Sequence, residues 1–245
     1  MREEIKKIIN NPTKAESIKE GHAIRMQLLK AIEQCDEEGY QKVEKIFKEY
    51  IASDTFDLMK RVSDSPLRSY KNFLLSHNSL YAYVAEKGGM SPVLSHYMSE
   101  KYAMLIESKN TIDELKELHE YFLKDYLNAD NRIPLYSNES LSVRVLQYIS
   151  ANFMNQININ QIANEFFVTR VHLMRTFKKQ TGITINEAIT SKRFKEACIL
   201  LKKSDLTITE VALMVGFNSS QYFSKTFYEK FGMTPKAYRN SNKGK

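Results

Sequence analysis

Two cysteines, five prolines and eight glycines in 245 residues leave little to staple or interrupt this chain. Cys35 and Cys198 stand far apart, with no Cys or His at metal-ligand spacing. That argues against a disulfide framework or a zinc site, and each reads as a buried, inert thiol. With Gly and Pro scarce and strand-like alternation scarcer, the expected class is all-α. No apolar run approaches the roughly 20 residues that cross a bilayer, so no membrane role is expected. The start, Met1-Arg-Glu-Glu-Ile, lacks the apolar core of a signal peptide, so a cytoplasmic location is expected. Acidic residues are scarce on one side only. Residues 138–245 hold 16 Lys/Arg against 7 Asp/Glu, a net of +9, whereas residues 1–137 hold 20 against 22, a net of −2. Such an excess on a domain of about a hundred residues suits a polyanion-binding surface, because neutralising phosphates releases counterions. Charge alone also fits a plain solvated face, so motifs must decide.

Turn formers crowd residues 127–140 and break the helical periodicity there, which sets the expected domains at 1–130 and 138–245. Ahead of the break, helices are expected over about 14–35, 38–51, 54–63, 67–87, 91–108 and 111–127. Ser91-Pro92 and Thr111-Ile-Asp-Glu114 supply two of the starts.

The second half repeats itself. Ile159, Ile162 and Ala163 recur 49 residues on as Ile208, Val211 and Ala212; Leu173, Phe177, Gly182 and Thr184 recur 50 on as Phe223, Phe227, Gly232 and Thr234. The second copy has therefore gained one residue inside its turn. Each copy reads as a short helix, a tight turn and a second helix closed by a left-handed glycine, over about 158–179 and 207–229. Asn158…Gln161, Thr184…Glu187 and Thr207…Glu210 have capping-box spacing, and Thr234-Pro235 marks one more start. Between the copies a continuous helical pattern from about Ile185 to Lys203 spans roughly 28 Å. Successive major-groove faces on one side of B-DNA lie about 34 Å apart, so this helix can hold two reading heads near one turn apart.

At these residues the chain resembles the AraC/XylS family of bacterial transcription regulators. The resemblance covers residues 141–239. Its second-unit signature stands in Ile208-Thr-Glu-Val-Ala-Leu-Met-Val-Gly216-Phe217 and Tyr222-Phe223-Ser224, its ending in Phe227, Gly232, Pro235 and Tyr238-Arg239. The first unit shows in His172-Leu173 through Phe177 to Gly182, the joining helix in Lys192-Arg193-Phe194 and Ala197. The family implies two helices that enter the major groove of double-stranded promoter DNA. Carried onto this chain, the readers are Arg170, Val171, Met174 and Arg175 in the first unit and Ser220, Gln221, Ser224 and Lys225 in the second. The physical chemistry agrees in part. Arg suits guanine and Gln adenine, while Val171 and Met174 suit a thymine methyl or nothing. Lys178, Lys179, Lys192 and Arg193 are either phosphate contacts or ordinary solvated charge. Phe194, Phe217, Tyr222 and Tyr238 are expected in the core. An activator that contacts RNA polymerase and acts as a homodimer is the implied function.

The first half says less. Residues 71–92 look like the helical N-terminal regions of some regulators of this type, and Gly88-Gly89 reads as a helix C-cap ahead of Ser91. The family's founding β-barrel sugar sensor has no counterpart, since alternating strands are missing. His77, His96 and His119 lack partners at ligand spacing, so no metal or other cofactor is expected. Tyr70, Phe73, Tyr81, Tyr83, Tyr97 and Tyr102 fit either an effector pocket or a plain core or dimer face. The rival reading is a DNA-modifying or repair enzyme that borrows the same reader. It needs an activated cysteine, and neither Cys35 nor Cys198 has the neighbours, so no enzyme and no catalytic residue is expected. A nucleoid protein without sequence preference is the third alternative.

Overall fold

The computed structural model describes residues 12–52, 62, 65–132 and 140–242. All regular structure among them is helical, and they fall into two compact units divided between Ala129 and Asp130. The first unit contains α1 (Pro12–Gln34), α2 (Glu37–Ala52), α3 (Pro66–Lys87), α4 (Pro92–Ser108) and α5 (Ile112–Leu127). The helix expected over 54–63 falls, Val62 apart, outside the described residues.

Local chemistry starts these helices. Ser65 and Ser91 each accept a backbone N–H from three residues on, with proline following at the first helical position. Thr111 and Glu114 satisfy each other's backbone donors in a full capping box, and Gly88 caps the end of α3 as expected.

Packing turns on α3, which lies against α1, α4 and α5. Its Tyr70, Phe73, Leu74, His77, Tyr81 and Ala85 recur at three- and four-residue spacing and are all buried. Fully burying an aromatic ring contributes about 1.5–3 kcal/mol, and several of the buried polar tips find partners. The Tyr126 hydroxyl donates to Asn78 Oδ1 at 2.9 Å, and the buried Lys101 ammonium meets Asp125 at 3.0 Å.

The second unit runs α6 (Leu141–Asn152), α7 (Ile159–Glu165), α8 (Arg170–Thr181), α9 (Ile185–Lys203), α10 (Ile208–Met214), α11 (Ser220–Phe231) and α12 (Pro235–Asn242). Helices α7 and α8 form one helix-turn-helix, α10 and α11 the other, and α9 joins them. The first core gathers Val145, Ile149, Ile162, Leu173, Phe177 and the N-terminal half of α9 through Ile185, Ala188 and Ile189. The second gathers around Phe194, on the same helix, whose ring stacks on Phe217 at 5.6 Å and meets Phe227 edge-on at 5.5 Å. One helix thus contributes to both cores.

The repeat is realised in backbone geometry. Gly182 and Gly232 close α8 and α11 with φ of 79° and 70°. Thr184 with Glu187 and Thr207 with Glu210 form full capping boxes, while Asn158 takes only the Asn160 N–H. The turns correspond through Phe167 (φ 55°) and Gly216 (φ 89°), followed by Val168 and Phe217, whose amides bond back to Ala163 and Ala212. The N-caps Thr169 and Ser219 come next, so the additional residue of the second turn is Asn218.

Two expectations need correction. Neither cysteine is fully buried; both are half-exposed. Tyr222 is 61% exposed rather than core, because Phe223 and Phe227 set the buried face of α11 and their neighbour falls on its flank, and Tyr238 is only partly buried, at the edge of the Phe227 and Phe231 rings.

Candidate nucleic-acid interface

Helix α8 is oriented by Leu173 and Phe177, both with no exposed area. Anchoring that side turns the other outward, and Arg170, Val171, Met174, Arg175, Lys178 and Lys179 are all exposed. Val171, Met174, Arg175 and Lys178 occupy i, i+3, i+4 and i+7, a single stripe. The stripe forms one wall of a groove completed by Ile159 and by Thr184 to Asn186 at the start of α9. Val171 is 75% exposed, so an apolar contact surface sits directly among cations. Within α8 stand four Lys/Arg and no acid.

Helix α11 repeats the geometry with different chemistry. Phe223 and Phe227 are its buried anchors. Gln221 and Lys225 are exposed, and Ser220 and Ser224 half-buried. Fifty residues after Lys178 stands Tyr228, 56% exposed, and after Lys179 stands Glu229. The sequence reading missed Tyr228; extending the fifty-residue offset one turn further would have found it. The second helix is the less positive, with Lys225 and Lys230 against Glu229.

Lys192 and Arg193 are partly buried and have partners within the fold. Lys192 pairs with the buried Glu196 at 2.9 Å and sits 5.1 Å from the Phe153 ring. Arg193 donates from Nε to the Phe153 carbonyl and from Nη2 to that of Asn155, both at 2.8 Å. Burial pushes its guanidinium pKa down, although it stays a cation. Both charges are committed to the fold.

The first unit holds a cavity of about 490 Å³, within the range of ligand pockets. Tyr40, Phe47, Tyr70, His119 and Leu123 form its wall, and Lys48 bridges Glu44 at 3.2 Å and Glu120 at 2.8 Å beside it. Burial, reinforced by nearby His77, lowers the His119 pKa to about 3 and keeps the ring neutral. Its Nε2 lies 3.1 Å from the Tyr81 hydroxyl. Of the six aromatics expected at a pocket or core, Tyr70 alone lines this cavity. Tyr83 is 63% exposed, and the other four lie in the core.

A helix-turn-helix domain family matches residues 162–241. The HTH-type transcriptional activator AarP of Providencia stuartii is 32% identical over 121 residues, covering 46% of this chain and 90% of that protein. The chain belongs to the AraC/XylS family of helix-turn-helix transcription regulators. A regulator of the same type in the cgkA 5′ region of Pseudoalteromonas carrageenovora is 38% identical over 105 residues, 42% of this chain and 61% of that protein. Among solved structures, the C-terminal domain of AraT, a response regulator from Geobacillus stearothermophilus, matches at 30% identity over 43% of this chain and 88% of that one, with a TM-score of 0.41.

In this AraC/XylS regulator the matched segment begins inside α7 and ends inside α12, so it includes both recognition helices and the helix between them. Nothing in these relationships supports the enzyme alternative. Burial also pushes the Cys198 thiol up, away from the thiolate a nucleophile needs. Among the described residues no helix is long and apolar enough to cross a membrane, and no group of three His, Cys, Asp or Glu is placed to hold a metal.

Proposed function

We propose that this chain is a cytoplasmic transcription activator that reads promoter DNA by setting α8 and α11 into two successive major-groove segments on one side of the duplex. The observation that carries this reading is the pair of outward-facing recognition stripes on a repeat whose two cores share one helix. Nineteen residues of α9 span about 28 Å, close to the roughly 34 Å of one DNA turn. Arg170, Arg175, Gln221 and Lys225 read base edges, Val171 and Met174 meet thymine methyls, and Lys178 and Lys179 hold phosphates. The first unit dimerises the protein, its cavity receives a small, largely apolar effector, and the DNA-bound dimer contacts RNA polymerase.

The direct test is a fragment of residues 138–245. It folds alone, shifts duplexes selected from a random pool, and weakens steeply as salt rises. A helical fragment that binds no duplex at low salt would refute the assignment, and one that binds all duplexes equally would favour a nucleoid protein.

A further inference from the structure

The two helix-turn-helix units are equivalent in sequence but differ at one joint. The segment after α6, residues 153–156, leaves the core of the first unit and runs directly against the turn of the second. A Cβ placed on Gly216 would lie 2.5 Å from the Phe153 carbonyl oxygen and 2.9 Å from the Met154 carbonyl, so only glycine admits this contact. The matching residue of the first unit, Phe167, is 94% exposed and touches no such strand of chain. From α9, Arg193 reaches the same segment, bonding the Phe153 and Asn155 carbonyls at 2.8 Å, with its guanidinium 5.5 Å from the Phe217 ring of the second turn. Gln156 Nε2 donates to Asn218 Oδ1 at 2.6 Å, and Asn218 is the residue by which the second turn exceeds the first.

We infer that Arg193, Gln156, Gly216 and Asn218 form a lock that fixes the second recognition helix relative to the first, and so sets which spacing of half-sites the protein accepts. They are positioning residues. The second core meets α9 through the apolar side chains of Phe194, Ala197, Leu200 and Leu201, and Arg239 of α12 donates to the Leu201 carbonyl at 3.3 Å, but apolar packing is non-directional and leaves the turn ahead of α11 freedom to pivot. Backbone carbonyls gripped by a planar two-pronged donor, together with a backbone contact at Gly216, remove that freedom. Linked modules gain about 10²–10⁴ in avidity only when geometry lets both engage at once, so rigidity translates into selectivity for spacing.

This inference rests on the two-headed reading proposed above, and the experiment separates them. A duplex is selected with the full-length wild-type chain, then remade with one or two base pairs inserted between the half-sites and as each half-site alone. The wild type loses about 10²-fold or more on the misspaced duplex. Arg193→Ala, Gln156→Ala and Asn218→Ala reduce that penalty to about tenfold or less, leave each single half-site affinity unchanged, and weaken the native duplex. Gln156 and Asn218 are exposed, so their variants remain informative should Arg193→Ala misfold. Folded variants with the wild-type penalty would overturn the lock. A wild type indifferent to the insertion would instead overturn the two-headed reading.

Discussion

Arg175 and Lys178 lie three residues apart on the same exposed stripe of α8, about 4.5 Å along its axis, yet they should fail differently when removed. Arg175 sits two residues from both buried anchors, Leu173 and Phe177, and is thereby aimed outward from the middle of the helix. A guanidinium there takes a guanine edge bidentately. Arg175→Ala should therefore cost about 1–3 kcal/mol, roughly 5- to 150-fold, concentrated on one or two base positions. Lys178 lies nearer the C-terminus of α8, where a helix entering by its first turns passes the backbone. Losing one phosphate contact lowers the logarithmic salt slope by about 0.9, so the Lys178→Ala deficit shrinks about 3.5-fold between 50 and 200 mM salt. Its base preferences stay unchanged. Competition binding of each variant against single-base duplex variants, over a salt series, measures both quantities. Identical base profiles and identical slope changes for the two would show that α8 is not docked as described.

Equivalent turn positions should respond oppositely to substitution. Phe167→Gly relieves a left-handed backbone at a side chain that is 94% exposed and stabilises by about 0.5–1 kcal/mol, whereas Gly216→Ala meets the Phe153 carbonyl and destabilises by more. Denaturant midpoints shifting in the same direction would contradict this. The buried His119 sets a pH dependence. Its folded pKa of about 3 lies below the unfolded value near 6.5, so falling pH protonates the unfolded chain first. Stability present above pH 6.5 is then lost toward pH 3, by about 2 kcal/mol at pH 5. Calorimetry of His119→Gln, which cannot titrate, should show that much less loss between pH 7 and 5; an unchanged loss would remove the explanation. A fragment of residues 1–129 should sediment as a dimer at micromolar concentration, and a strict monomer would leave dimerisation without its proposed site.

What the sequence determined here was what local chemistry determines. The capping boxes at Thr111, Thr184 and Thr207, the glycine stops at 182 and 232, the bounds of α9 and the outward set on α8 all follow from spacing along one helix, because backbone donors and buried anchors act within a few residues. The fifty-residue repeat even revealed the inserted residue in the second turn. Its purpose was not legible, since Gln156 lies 62 positions away in the chain. Arg193 reads as a surface cation on a helix facing DNA, and only the fold brings two backbone carbonyls within its reach. Tyr222 reads as core by its aromatic neighbours, yet the packing of Phe223 and Phe227 turns it out. Nothing in the sequence around His119 marks it as buried; the low pKa comes from burial among rings contributed by other helices. Burial, desolvation and contacts between distant backbones depend on which surfaces meet, and that is decided when helices pack rather than when they form.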